Sequence, residues 1–329
     1  MAIKKEAYLY LSAALRAREA KLLTRERAER MLDAAGAEEA AKLLTDCGYA
    51  DMSGMNAAQV EAELSAHRDG ILAELDRLAP QREMVDFFRM KYDIHNAKAI
   101  IKAEAAGTEA GTLLSGSGRV SPEKLLAAYQ DERWSELPGE LGRAMEEARD
   151  TLAHTGNPQL ADFLLDRAYY KELLATAKAL DSGFLTGYAQ VLIDSTNLRS
   201  CVRTARMGKD SEFLREALIP GGRVSTDRLL AADKDALAAL FGHSVLENAA
   251  ALGTEAAEGG SLTAFELACD NAVNAYLKGA KLVSFGEEPV AAYIAAVEGE
   301  ITAVRMILTG RLAGIQPGVI RERLRDFYA

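Results

Sequence analysis

Tyr92-Asp93-Ile94-His95-Asn96-Ala97-Lys98 recurs in altered form as Ile193-Asp194-Ser195-Thr196-Asn197-Leu198-Arg199, and again as Gly299-Glu300-Ile301-Thr302-Ala303-Val304-Arg305. Each copy sets an acidic residue five positions before a basic one inside an apolar helical stretch. A glycine-containing break follows. After it come Arg119-Val120-Ser121-Pro122-Glu123-Lys124-Leu125-Leu126, Arg223-Val224-Ser225-Thr226-Asp227-Arg228-Leu229-Leu230 and, more loosely, Gly314-Ile315-Gln316-Pro317-Gly318-Val319-Ile320. A period of about a hundred residues is well beyond those of solenoid repeats. The reading is therefore an all-α chain of three similar helical lobes. The N-terminal segment resembles a reduced copy, with Arg16 in the basic slot and Thr24 in the Ser121/Ser225 slot. A chain that opens midway through one unit and stops midway through another can pair its first and last helices, giving a ring-like body; three bundles in a line are the alternative.

Composition supports packed helices. The chain has 329 residues, is 49% hydrophobic but only 6% aromatic, and carries a formal net charge of -10. It has no long lysine or arginine run, which argues against a nucleic-acid surface. Cys47, Cys201 and Cys269 are too far apart for a zinc knuckle or a disulfide framework, and read as small buried thiols. The start, Met1-Ala2-Ile3-Lys4-Lys5-Glu6, resembles no signal peptide and runs straight into an amphipathic helix. No apolar stretch reaches the roughly 20 residues that span a bilayer. A soluble, cytoplasmic protein is expected.

Helix signals fill the chain. Tyr8, Leu11, Leu15 and Leu22 mark a first helix, and Thr24 caps a second. Asn56 caps a long helix through Val60, Leu64 and Leu72 that Pro80 ends. Phe87, Ile94 and Ile101 mark another, which stops at Gly107. Residues 107–118 read as a loop. Asn157-Pro158 is a favoured helix start. Leu185, Tyr188, Leu192, Leu198 and Val202 form a stripe at three-four spacing, and Gly259-Gly260-Ser261 opens the long helix of the third copy. Gly286-Glu287-Glu288-Pro289 breaks that helix before the last one.

Catalytic constellations are missing. His67, His95, His154 and His243 form no metal-binding pair, and no phosphate loop, dinucleotide fingerprint or nucleophile elbow occurs. Ser115-Gly116-Ser117-Gly118 lacks the lysine of a phosphate loop. Asp162 and Asp166 precede the second motif by about as much as Glu266 and Asp270 precede the third. Such pairs can serve acid–base chemistry, although an ion-paired helix face is the plainer reading. In the motif itself, five residues advance about 500° around a helix, so acid and base face different ways. Asp93 with Asn96, and Asp194 with Asn197, share one face. Lys98 with Lys102, and Arg199 with Arg203, share another. That pattern suits bridging between adjacent helices, or the satisfaction of buried polar groups within one bundle. On the residues alone, a free-standing scaffold or regulator and an α-helical enzyme both remain open.

Phe87-Phe88-Arg89-Met90-Lys91-Tyr92-Asp93-Ile94-His95-Asn96-Ala97-Lys98 resembles the first signature of the C subunit of V/A-type ATPases, the family that includes the eukaryotic V-ATPase d subunit. Asp166-Arg167-Ala168-Tyr169-Tyr170, with the Asp194 motif and Leu218-Ile219-Pro220-Gly221-Gly222, resembles a second. A third lies in Gly286-Glu287-Glu288-Pro289-Val290-Ala291-Ala292-Tyr293 with Glu298, Glu300, Arg305 and Ile320-Arg321-Glu322-Arg323-Leu324. Tyr8-Leu9-Tyr10-Leu11-Ser12-Ala13 is also similar. Ala97 and Ala303 depart from the pattern, standing where a larger aliphatic or an amide is expected.

The resemblance implies a pseudo-threefold helical funnel on the cytoplasmic face of the membrane rotor ring. It would act as a non-catalytic socket coupling the central shaft to that ring for ATP-linked proton or sodium transport. Its partners would be the shaft proteins and the proteolipid ring, with no cofactor, metal, nucleic acid or small-molecule substrate. The lobes are expected at 1–110 (completed by the C-terminal helices), 111–215 and 216–329. Asp93, Asn96, Lys98, Asp194, Asn197, Arg199, Glu300 and Arg305 are the expected interaction or interlobe residues.

Overall fold

Regular structure in the computed structural model, which describes residues 4–329, is helical throughout, with no strand among the described residues. Residues 1–3, ahead of the first helix expected from the sequence, lie outside them. The chain begins with α1 (Leu9–Glu19), α2 (Arg25–Asp33), α3 (Ala37–Lys42) and the long α4 (Ala57–Leu78). It continues through α5 (Arg82–Ala106), α6 (Pro122–Gln130), α7 (Leu141–Thr155), α8 (Pro158–Ala179) and α9 (Gly183–Arg206). After α10 (Ser211–Ala217), α11 (Thr226–Ala231), α12 (Lys234–Leu240) and α13 (Glu247–Ala257) come α14 (Leu262–Lys278), α15 (Glu287–Leu312) and α16 (Pro317–Arg321).

The helix starts follow from local chemistry. The first N–H groups of a helix have no partner within it, and a short polar side chain just before it supplies one. Thr24 accepts from the N–H of Arg27 at 3.3 Å, Ser121 from Lys124 at 3.3 Å and Ser225 from Arg228 at 3.4 Å. Asn56 and Gln59 form a reciprocal capping box at the head of α4. Asn157 caps α8 with Pro158 in its first turn, and Ser261 accepts from Ala264 N–H at 3.2 Å to start α14. The sequence-predicted boundaries at Pro80 and Gly107 are present, whereas the long helix expected to break at Gly286–Pro289 already ends at Lys278, and Glu287, Glu288 and Pro289 form the first turn of α15 after Gly286.

By internal packing the chain forms two compact units, Met1–Val85 with Glu266–Ala329, and Asp86–Phe265. In the first, α15 runs among α1, α2, α3, α4 and α16, and most of its residues are buried. A helix apolar on all sides belongs inside a protein, away from its surface. In the second, Ile94, Ala97, Ile100 and Ile101 of α5 share one core with Leu125 of α6, Met145 of α7 and Leu165 of α8. Helix α9 packs against α8, α10 and α13. Its expected single stripe is too narrow a description. Leu192 is only half-buried, while Val191 and Ile193 on either side are buried, because α9 is covered on several faces.

Asn56→Ala removes the side-chain half of the capping box, leaving the N–H of residue 56 to donate to Gln59, and is expected to cost about 1 kcal/mol of unfolding free energy. Asn56→Ser should recover most of that loss in a urea titration.

Candidate functional site

Each of the three repeated acids is buried, and each is anchored to backbone just ahead of a capped helix. Asp93 on α5 accepts from the N–H of Arg119 at 2.9 Å and of Val120 at 3.2 Å, immediately before the Ser121 cap. The Arg119 guanidinium adds a bond at 2.6 Å and reaches Glu172 at 2.5 Å. Asp194 on α9 accepts from the N–H of Arg223 at 3.1 Å and of Val224 at 3.2 Å, immediately before the Ser225 cap. Glu300 on α15 accepts from Leu23 N–H, immediately before the Thr24 cap, and from the Tyr49 hydroxyl at 2.8 Å. The N-terminal segment thus meets the third acid as the later breaks meet the first two.

The amides hold the same breaks a few residues earlier. Asn96 donates to the carbonyl of Ser115 at 2.8 Å and accepts from the N–H of that residue at 2.8 Å. Asn197 brackets Ile219 in the same way, at 2.7 and 2.8 Å. Ala303 offers no such clamp. There the second oxygen of Glu300 is occupied by Tyr49, whose ring stacks on His67 with centroids 4.1 Å apart.

Burial is the largest influence on Asp93, Asp194 and Glu300, and raises all three carboxyls above their ordinary values. The backbone donors oppose it in every case, with Arg119 helping at Asp93 and Tyr49 at Glu300. The close approach also dictates residue size. A Cβ added to Gly118 would collide with Asp93 Oδ1, and one on Gly222 with Asp194 Oδ1.

Two of the three repeated bases, Lys98 and Arg305, bridge helices. Lys98 and Lys102 of α5 reach Asp166 and Asp162 of α8 at 2.6 and 2.7 Å. Both carboxylates of that pair therefore receive an ammonium group, which supports the ion-paired face over acid–base chemistry. Arg305 of α15 forms a two-toothed pair with Glu61 of α4 at 2.5 and 2.8 Å. Arg199 donates to Ser195 Oγ of its own helix at 2.6 Å. Arg16 donates to the carbonyls of Ala280 and Val283 at 2.6 and 2.7 Å.

The repeat motifs do not single out Glu61, although a signal for it exists. It stands five residues after the Asn56 cap, as Asp162 stands after Asn157 and Glu266 after Ser261. His95 lies 3.0 Å from the Leu113 carbonyl. All three cysteines are buried free thiols, and no group of metal-binding side chains occurs among the described residues. No described helix is long and apolar enough to cross a membrane. The arrangement binds helix to loop and helix to helix, with no convergent reactive groups.

The family model described as ATP synthase (C/AC39) subunit matches residues 11–323. The V-type sodium ATPase C subunit of Enterococcus hirae is 24% identical, covering 98% of this chain and 99% of its own length. The A-type ATP synthase C subunit of Methanocaldococcus jannaschii is 26% identical, covering 98% and 88%. The V-type ATP synthase C subunit of Thermus thermophilus is 26% identical over 66% of this chain and 68% of its own.

Three outcomes test these contacts. Gly222→Ala should displace the Asp194 carboxylate and destabilise the chain by about 2 kcal/mol, the scale of a buried bond left unmade. Asp194 has a raised folded value, so its contribution is full below the ordinary carboxyl range and is lost as pH rises through the raised value. The melting deficit of Asp194→Asn should therefore be larger near about pH 5 than near about pH 7.5; the opposite trend would mean that the N–H bonds outweigh burial. Arg305→Glu should lose no more than about 1 kcal/mol, since the pair with Glu61 is part-exposed. Adding Glu61→Arg should restore it in a double-mutant cycle.

Proposed function

Because the chain belongs to the ATP synthase (C/AC39) subunit family, whose model covers residues 11–323, we propose that it is the socket coupling the central shaft of a V/A-type ATPase to its membrane rotor ring. Membership makes it a structural subunit of the rotary complex, with ATP chemistry left to other members of the assembly. The socket would sit on the cytoplasmic face of the membrane, without crossing it. The ion it helps to move would be set by the ring: one relative is named for sodium, others for ATP synthesis.

The observation that carries the reading is the thrice-repeated clamp of a buried carboxylate on the N–H just ahead of a helix cap. It supports three related lobes, proposed at 1–110, 111–215 and 216–329, with the first completed by the C-terminal helices. A part that passes torque from one body to another must resist shear. Helices packed at crystal-like density do so, and buried polar clamps fix the connecting loops that would otherwise yield first. Asp93, Asn96, Lys98, Asp194, Asn197, Arg199, Glu300 and Arg305 would then shape the socket from within. The net charge of -10 favours docking onto basic loops, where complementary fields govern encounter more than final affinity.

Reconstitution tests the reading. The purified chain should co-sediment with detergent-solubilised rotor rings and, separately, bind the isolated shaft proteins, with ring capture weakening as salt rises. Stable binding to neither would overturn the proposal. Charge reversal at Arg199 should lower the yield of the assembled shaft–socket–ring complex in the same experiment.

A further inference from the structure

One surface of the second unit has the form of a seat for another helix. Along α8, Leu164, Ala168, Lys171, Ala175 and Lys178 line a groove at four-three-four-three spacing. Glu140, Ala144 and Glu147 face them from α7 and the residue before it, at four-three spacing. Pro220 closes one side, and the groove, open to solvent, offers a volume of about 540 Å³. Four-three spacing is the seam that one helix presents to another. Ala168 and Ala175 are its small open positions, with Leu164 and Leu174 beside them and Ala144 buried beneath, so a visiting helix can approach closely over the two alanines. From Leu164 to Lys178 is fourteen steps, about 21 Å at 1.5 Å per residue, so four turns of helix match the length of the groove.

The rim carries charge of one excess sign. Arg143, Arg167, Lys171 and Lys178 line it with Glu140 and Glu147, and Arg167 is paired with Glu216 at 2.8 Å, in a chain of net charge -10. Lys171 and Arg143 share Glu140, at 3.0 and 3.7 Å. Arg143, Lys171, Ala175 and Lys178 are exposed.

We propose that the groove between α7 and α8 receives an amphipathic helix of a partner polypeptide, with large aliphatic residues on its buried stripe and acidic residues flanking it. The small seam residues select the bulky stripe, and the basic rim selects the acidic flanks. The inference stands apart from the socket reading, since it needs neither shaft nor ring.

The test uses the full chain and two labelled four-turn peptides with leucine at the stripe positions, one flanked by glutamate and one by lysine. Fluorescence anisotropy should show the glutamate peptide binding about tenfold more tightly than its lysine twin, the effect of a few rim pairs. Ala175→Trp fills the groove at an exposed position. It should weaken the glutamate peptide about tenfold while leaving the melting temperature and the capture of shaft and ring unchanged, and the Lys171→Glu, Lys178→Glu double variant should reverse the preference between the peptides. Equal binding of the two peptides, or indifference to Ala175→Trp, overturns the proposal. So does a chain that ignores both peptides but self-associates, or binds anionic phosphatidylserine vesicles, in a manner that Ala175→Trp abolishes. The groove would then belong to a second copy or to a membrane.

Discussion

A carboxylate buried in a helix must be satisfied by donors that come to it, and this constraint organises much of the chain. Asp93, Asp194 and Glu300 sit on α5, α9 and α15, largely or wholly shielded from water. Each draws in the backbone N–H one residue before a helix cap. Leaving such a group unpaired costs more than making the bond returns, so the clamp acts chiefly by excluding alternatives. The loop has one place to lie, and the next helix starts where the loop ends. The glycines at 118 and 222 follow from the same closeness.

Much of this is legible in the sequence. Caps at Thr24, Asn56, Ser121, Asn157 and Ser225 lie within reach of local rules because their partners are three residues away or fewer. The recurring acids and amides are legible as well, and their shared face follows from three-residue spacing. What they hold is not legible, since Asp194 and Arg223 are 29 residues apart and nothing local links them. Glu61 shows the same limit: its register from Asn56 matches that of Asp162 from Asn157, but its partner Arg305 is 244 residues away. A single stripe undersells α9 because helical periodicity reports one dry face, whereas a central helix has several.

The third copy shows how much the device tolerates. It lacks the amide, has Lys21 in the place of the glycine, and uses a glutamate with one more methylene. Tyr49 supplies the second donor from a different segment. What persists in all three is one buried oxygen on one N–H before a cap. The family relation, spread over nearly the whole chain at about a quarter identity, is of the same kind, in which architecture survives while most side chains change.

The bond from Leu23 to Glu300 spans 277 residues, and that separation bears on how the molecule is made. A ribosome releases α1 and α2 long before Glu300 exists, so these helices emerge without the one that covers them. Residues Asp86–Phe265 have their own packing and can condense while synthesis continues. The opening segment must wait with Leu11, Leu15 and Leu23 unburied until the last helices arrive. Nascent chains stalled before α15 therefore present apolar residues of α1 and α2 that the finished chain buries, and this unit closes only when segments from opposite ends of the sequence meet.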